Sequence, residues 1–358
     1  MKFICLPKYT EKSASSRYRT FQYLSYFKDY AHIEVYPFFD NYYNPGCKMP
    51  FFFKLKYLTK RYFKRLKILI NKRDKFDFFF VEKEFFPFIP FEKLILRIFK
   101  IKYVLDYDDA IFHHYDDNHS KLVRLILSKK IPSIISHSKG VITGSPYLTR
   151  YAKKYSNNVI EIPTSIDLDK YPISKIKPES NKFTVGWIGS KTTSKNLRLL
   201  IEAINQISNF KENIIFNFIG FDLSMSSEFK HLPIKFIEWD GRKEADQINN
   251  FDIGIMPLEF NLFNKGKCAF KLIQYMACSK PTISSPLESN INVDKGNGNL
   301  FAKTSQDWVE AILKIKSNYD SFIQIGIKNK QTVIREFSVQ SNSKKYQTFF
   351  EKISSQLK

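Results

Sequence analysis

Short apolar, β-branched and aromatic runs recur along this chain with helix-length stretches between them. That alternation predicts an α/β fold built on parallel sheets. The runs fall into two sets of six on either side of a polar, proline-bearing segment, which predicts two domains. The length agrees, since 358 residues exceed what one hydrophobic core usually serves. The expected architecture is a pair of α/β domains facing across a cleft.

In the first half, strands are expected at KFICLP, HIEVYPF, FDFFFVE, KYVLDYD, GVITGS and VIEIPT. In the second they fall at FTVGWIG, IIFNFIGF, IKFIEW, FDIGIMPL, PTISSP and, more weakly, NLFAK. Between the sets, Asp167 to Lys182 is polar, carries two prolines and has neither a helical nor a strand period, so it reads as a linker. Domains of 1–168 and 169–337 follow, with a terminal helix over 338–358 packing back on the first. In open parallel sheets ligands bind beyond the carboxyl ends of the strands, so the loops there are where chemistry is sought.

Composition narrows the class. Apolar residues make up 43% of the chain, enough for proper cores. Cys5, Cys47, Cys268 and Cys278 are scattered with no CxxC pair and no metal-ligand spacing, which points to a reducing, cytoplasmic compartment. The first residues are too short an apolar run for a signal peptide, and no stretch is apolar enough to be read as a membrane span. Net charge is +22. Residues 51–75 hold ten Lys or Arg against one Asp, interleaved with Phe, Tyr, Leu and Ile. Such a segment suits a helix lying on anionic lipid, a nucleic-acid patch or a solvated basic face.

The second half opens on a strand, Phe183 to Ile188, that runs into Gly189, a polar turn and a helix with Thr193 or Ser194 as candidate N-cap. Free backbone N–H groups at such a helix start favour an anion, and Lys191 and Lys195 add charge against a diphosphate. Neither GxGxxG nor GxxxxGK[ST] is present. Farther on, GKCAFKLIQYMACSKP (266–281) reads as one buried helix ended by Ser-Lys-Pro, with Lys267, Lys271 and Gln274 on one polar stripe at i, i+4 and i+7. It follows the strand FDIGIMPL, so both helix starts lie at the carboxyl edge of one sheet.

Together, VGWIGSKTTSKNL, DIGIMPL, GKCAFKLIQYMACSKP, SASSRYRTFQYL, YVLDYDDAIF, VITGSPYL and IPTSID resemble a glycosyltransferase of the family-4 type with the GT-B fold, as found in bacterial polysaccharide synthesis. The resemblance implies two Rossmann-like domains, a nucleotide-sugar donor on the C-terminal one, an acceptor on the N-terminal one, retention of configuration, and no metal or other cofactor. It implies that Lys195 and Lys271 touch the donor diphosphate and act in catalysis, and that Gly189 lets the backbone approach the phosphates. Relatives carry two glutamates eight positions apart on the later helix. Here they correspond to Gly266 and Gln274, so Gln274 falls to the ribose and Glu259 is the candidate for the lost carboxylate. Ser190 replaces a common arginine, whose charge Lys191 or Lys265 can supply, and Lys267 is counted with the donor-binding residues.

In the first half, Arg17 is the candidate phosphate ligand in the serine- and arginine-rich turn after the first strand. Asp106, Asp108 and Asp109 follow a buried strand, where a metal clamp, an acceptor-hydroxyl site and a turn role are all open. His113 and His114 carry no base signature. Three function classes are weighed: a glycosyltransferase acting on a lipid-linked acceptor at the inner membrane face, an epimerase or phosphorylase of the same fold, and a basic nucleic-acid binder. No pyridoxal signature or nucleic-acid motif supports the latter two, and nucleic acid is not an expected partner.

Overall fold

The structure is a computed structural model that describes residues 1–40, 50–172, 182–210 and 213–357. Cys47 and most of the expected linker, 173–181, lie outside the described residues. The chain forms two compact units. One comprises Met1–Ser165, Gly266–Cys268 and Asn342–Lys358, the other Ile166–Lys265 and Ala269–Ser341. The first boundary therefore falls after Ser165 rather than after 168, and a three-residue piece of the later sequence counts with the first unit.

The first unit holds β1 (Lys2–Leu6), β2 (His32–Val35), β3 (Phe78–Glu82), β4 (Tyr103–Tyr107), β5 (Gly140–Thr143) and β6 (Val159–Glu161). They form one parallel sheet in the order β2-β1-β3-β4-β5-β6. β3, β4 and β5 are buried along their whole length, which is why they read as unbroken apolar runs rather than as alternating ones. The helices that matter below are α1 (Ala14–Arg19), α2 (Phe51–Lys72), α3 (Glu92–Ile98), α4 (His113–Asp116) and α5 (Lys121–Leu127), all in this unit.

In the second unit, β7 (Phe183–Ile188), β8 (Ile214–Ile219), β9 (Ile234–Ile237), β10 (Ile253–Met256), β11 (Thr282–Ser284) and β12 (Leu300–Phe301) pair in parallel in the order β12-β11-β10-β7-β8-β9. Every run read as a strand is a strand. α6 (Phe270–Ala277) packs on this sheet through Tyr275, whose hydroxyl accepts from the Ile188 N–H at 3.0 Å and donates to the Ile255 carbonyl at 3.1 Å. A Cβ on Gly254 would stand 2.3 Å from that ring, so only glycine lets the tyrosine lie against the strand.

α7 (Val339–Leu357) supplies aromatic weight to the first unit from Asn342 onward. Phe350 sits 5.0 Å from Phe3 and 5.2 Å from Phe80, and Tyr346 lies 4.7 Å from Tyr23. Its Phe349 ring leaves no room for a side chain at Gly140.

Chain order reverses between β1 and β3 in one sheet and between β7 and β10 in the other. Those switch points, at the carboxyl edges, are where each unit has a crevice between diverging connections. No helix among the described residues is long and apolar enough to cross a membrane.

Candidate functional sites

At the β7/β10 switch point, β7 is followed by Gly189 and Ser190. The following turn is a 3-10 helix, Lys191–Leu200, continued by an α-helix, Ile201–Asn209. Ser190 caps it, and not Thr193 or Ser194 as the sequence suggested. The Ser190 N–H donates to Thr193 Oγ1 at 3.1 Å, while buried Ser194 turns its hydroxyl to the Asp222 N–H. Lys191 and Lys195 are exposed at this helix start.

A Cβ at Gly189 would meet the Trp187 ring at 2.3 Å, and one at Gly220 would meet the Gly189 carbonyl at 2.3 Å. Gly220 also has φ +73°, open to glycine and strained for other residues. Two side-chain-free turns thus lie against one another, with Trp239 beside Gly220. Across the switch point, the Lys271 ammonium stands 5.8 Å from the centre of the Trp187 ring. The cation is thereby oriented beside the same turn.

The polar stripe on 266–281 is not continuous. One short helix ends at Lys265 and α6 begins at Phe270, with Ala269 left-handed at φ +53° between them. Lys267 therefore lies off the helix that carries Lys271 and Gln274. It belongs to the first unit, where its Nζ reaches Asp109 Oδ1 at 2.7 Å.

Gln274 is buried, and its amide nitrogen donates to Glu244 Oε1 at 2.7 Å and to the Tyr171 hydroxyl at 3.1 Å. The same Glu244 accepts from the Trp239 indole N–H at 2.8 Å and from the Tyr171 hydroxyl. Glu244, which no sequence motif marked, is thus the carboxylate to which Gln274 is tied. Glu259 is exposed and accepts from the Asn261 side chain, while its backbone N–H lies 3.4 Å from Asn196.

The β1/β3 switch point of the first unit collects charge. Asp106 is a correction to the sequence reading: it is fully buried and takes a bidentate pair from Arg19, at 2.9 Å from Nε and 2.5 Å from Nη2. Arg19 is equally buried and spends its third nitrogen on the Ile162 carbonyl. A carboxylate so paired offers nothing to an acceptor.

Asp108 lies largely covered between Lys83 Nζ at 3.0 Å and the Ser15 hydroxyl at 2.6 Å. Burial would raise its pKa, but Lys83 and Ser15 outweigh that and hold it at about 2. Lys83 itself, in left-handed backbone at φ +67°, is kept firmly charged by Asp108, Asp109 and Glu82 against the opposing effect of burial. Ser15 and Ser16 of α1 also bond Glu82, at 2.8 and 2.5 Å. Arg17 lies over the Tyr18 ring, its guanidinium 4.8 Å from the centre. His113 is held between Asp116 and Tyr147, a structural position. No group of three or more His, Cys, Asp or Glu among the described residues is placed to hold a metal ion.

Residues 182–318, the greater part of the second unit, match the family described as Glycosyl transferases group 1. The protein is accordingly a glycosyltransferase. Solved structures extend the fold over both units. Sucrose-phosphate synthase from Thermosynechococcus elongatus superimposes with a TM-score of 0.73 at 12% identity, covering 99% of both chains. HepE from Anabaena in complex with UDP-glucose gives 0.68 at 14% identity, covering 99% of this chain and 100% of that one. A glycosyltransferase from Rickettsia africae gives 0.69 at 13% identity, covering 98% of each. Comparison with curated proteins by sequence finds no match. The two parallel sheets of this glycosyltransferase are the Rossmann-like pair of the GT-B fold.

Charge in the glycosyltransferase's basic segment is divided by α2. Arg61 and Arg65 turn inward onto the carbonyls of residues 36–38, and Lys72 pairs with Glu34 at 2.9 Å. Arg73 donates to the Phe99 carbonyl at 2.9 Å. Lys56, Lys60, Lys64 and Lys67 are left on one outward stripe, with Phe52 and Phe63 exposed among them. The sequence presents ten bases as one surface, whereas Arg61, Arg65, Lys72 and Arg73 serve the fold instead.

Proposed function

We propose that this glycosyltransferase moves a sugar from a nucleotide-sugar to a lipid-linked oligosaccharide or polysaccharide, with retention and without a metal, at the inner face of the cell membrane. The observation that carries the donor half is the pairing at the β7/β10 switch point: Lys271 oriented over Trp187, facing the Gly189 turn and a helix start bearing Lys191 and Lys195. As the glycosidic bond breaks, negative charge grows on the departing nucleoside diphosphate. A fixed cation beside a helix start at that point stabilises the transition state more than the ground state. Glu244, positioned by Gln274, is the ribose-facing carboxylate of this reading, and Trp239 the wall against the base. HepE, whose fold this chain shares, was solved with UDP-glucose, which supports a nucleotide-sugar as donor.

For the acceptor, Asp108, Asp109 and Arg17 flank the switch point of the first unit, and the outward lysines of α2 suit an anionic bilayer. Each such base contributes about 1 kcal/mol near an anionic surface, so four suffice for reversible docking.

Lys271→Met keeps the apolar stem and removes the charge. Turnover with a panel of nucleotide-sugars should fall about 10²- to 10³-fold, the loss typical of one transition-state donor. The circular-dichroism spectrum should stay that of the wild type, and a chelator should not alter the wild-type rate. Near-normal kinetics in Lys271→Met would overturn the donor assignment. Nuclear magnetic resonance of the new linkage reads retention directly.

A further inference from the structure

We infer that Phe88, Phe91 and the outward stripe of α3 form a rigid aromatic wedge that enters the interface of an anionic bilayer. This inference rests on the membrane location proposed above and adds a second contact, separate from the lysines of α2.

The stretch runs Phe85-Phe86-Pro87-Phe88-Ile89-Pro90-Phe91. Its first two rings are buried, whereas Phe88 is 64% and Phe91 68% exposed. Leu94 and Ile98 continue from Phe91 at i+3 and i+7 and are 55% and 62% exposed, so an apolar stripe leaves the loop along α3. Single exposed hydrophobics are ordinary, but a run of four on one face marks a contact surface.

The loop beneath that stripe is held on every side. Lys130 donates to the Phe86 carbonyl at 2.7 Å, and Tyr62 of α2 donates to the Pro87 carbonyl at 2.6 Å. The Phe88 N–H donates to the Tyr115 hydroxyl of α4 at 3.2 Å. Glu92 accepts from the Phe85 N–H at 2.9 Å and the Phe86 N–H at 3.3 Å. Lys130, Glu84 and Glu92 are themselves a buried charge network, with Lys130 3.0 Å from Glu92 and Tyr115 2.8 Å from Glu84. Phe88 is held at φ +62°, a conformation that a bulky side chain rarely adopts. A strained backbone fixed by four side chains serves to present a ring outward rather than to bury it.

Charge selects the occupant. Lys93, Arg97 and Lys100 lie along the stripe, while Glu92, the acid of α3, is turned inward and buried. α5 repeats the pattern, with Leu122, Leu125 and Ile126 exposed beside Lys121 and Arg124. Tyr62 joins the loop to α2 on one side and Tyr115 joins it to α4 on the other, so both helices brace the wedge. Aromatic tips ringed by bases match a layer whose phosphates lie above its acyl chains.

The test uses the full chain on vesicles of phosphatidylcholine and phosphatidylglycerol in equal parts. Phe88→Asn with Phe91→Ser removes the rings, and asparagine tolerates the left-handed backbone. Vesicle affinity should fall about tenfold or more, as expected for two aromatic side chains kept in water. Thermal stability, and transfer to a short water-soluble acceptor, should stay at wild-type values. Phe91→Trp should shift its emission to the blue on vesicles and be quenched by lipids brominated in the acyl chain. If the double variant binds as tightly as wild type and the indole of Phe91→Trp stays unquenched, the wedge is refuted, while the α2 contact stands. If Lys56, Lys60, Lys64 and Lys67 changed to Gln also leave binding intact, or wild type does not bind at all, the membrane location falls with it.

Discussion

Asp106→Ala separates a structural carboxylate from a binding one. The change leaves Arg19, with no exposure of its own, holding a positive charge whose partner at 2.5 and 2.9 Å is gone. Removing one member of a buried, hydrogen-bonded pair costs about 3–5 kcal/mol, because the other charge is stranded without water. In a unit of roughly 150–250 residues each kcal/mol lowers the midpoint by about 2–4 °C, so a drop of about 6–20 °C is expected in thermal unfolding. Arg19→Met combined with Asp106→Leu should recover most of that loss, since apolar groups of similar volume can replace a buried pair. Transfer activity of the double variant, measured well below its midpoint, should remain within a few-fold of wild type. If Asp106→Ala keeps its midpoint and loses activity, the reasoning is wrong and Asp106 belongs to the acceptor site.

Two further outcomes follow from the geometry. Asp108 has a folded pKa of about 2, below its unfolded value of about 3.9, so it adds stability above pH 4 that is lost as pH falls toward 2. That contribution is on the order of 2 kcal/mol; urea titrations across this range should show a shallower acid loss in Asp108→Asn, and an identical slope would count against the Lys83 pairing. Gly220→Ala places a Cβ 2.3 Å from the Gly189 carbonyl and strains a backbone at φ +73°. A cost of about 2–4 kcal/mol is expected from the two effects together, along with weaker nucleotide binding by calorimetry, and unchanged affinity would show that the two turns do not form the phosphate site.

The strands were legible because each is a short apolar run bounded by polar residues, and parallel sheets buried on both faces leave that trace in any sequence. The turn at Gly189, Lys191 and Lys195 was legible for a related reason: a glycine after a strand and before a helix is a local signal. What escaped depends on conformation or distance. Ala269 adopts a left-handed backbone that its type does not announce, so a broken helix read as a continuous one and Lys267 joined a stripe it does not share. Asp106 and Asp108 look alike after a buried strand, yet one turns to Arg19 and the other to Lys83. Glu244 lies thirty positions from Gln274 and owes its role to a contact no local pattern encodes. The charges of Glu82, Lys83 and Glu84 sat at the end of an apolar run, where the eye assigns them to the strand's exit.

The last residues of α7 complete the aromatic core against Phe3 and Phe80, which lie near the beginning of the chain. On a ribosome, the first unit therefore emerges early and waits, its rings uncovered, while Ile166–Ser341 is being made. At about 5–20 residues per second that interval is on the order of ten to thirty seconds. The apolar surface of the opening segment is thus uncovered for longer during synthesis than that of the middle, and a stop codon placed before Asn342 would cripple the unit translated first rather than the one translated last.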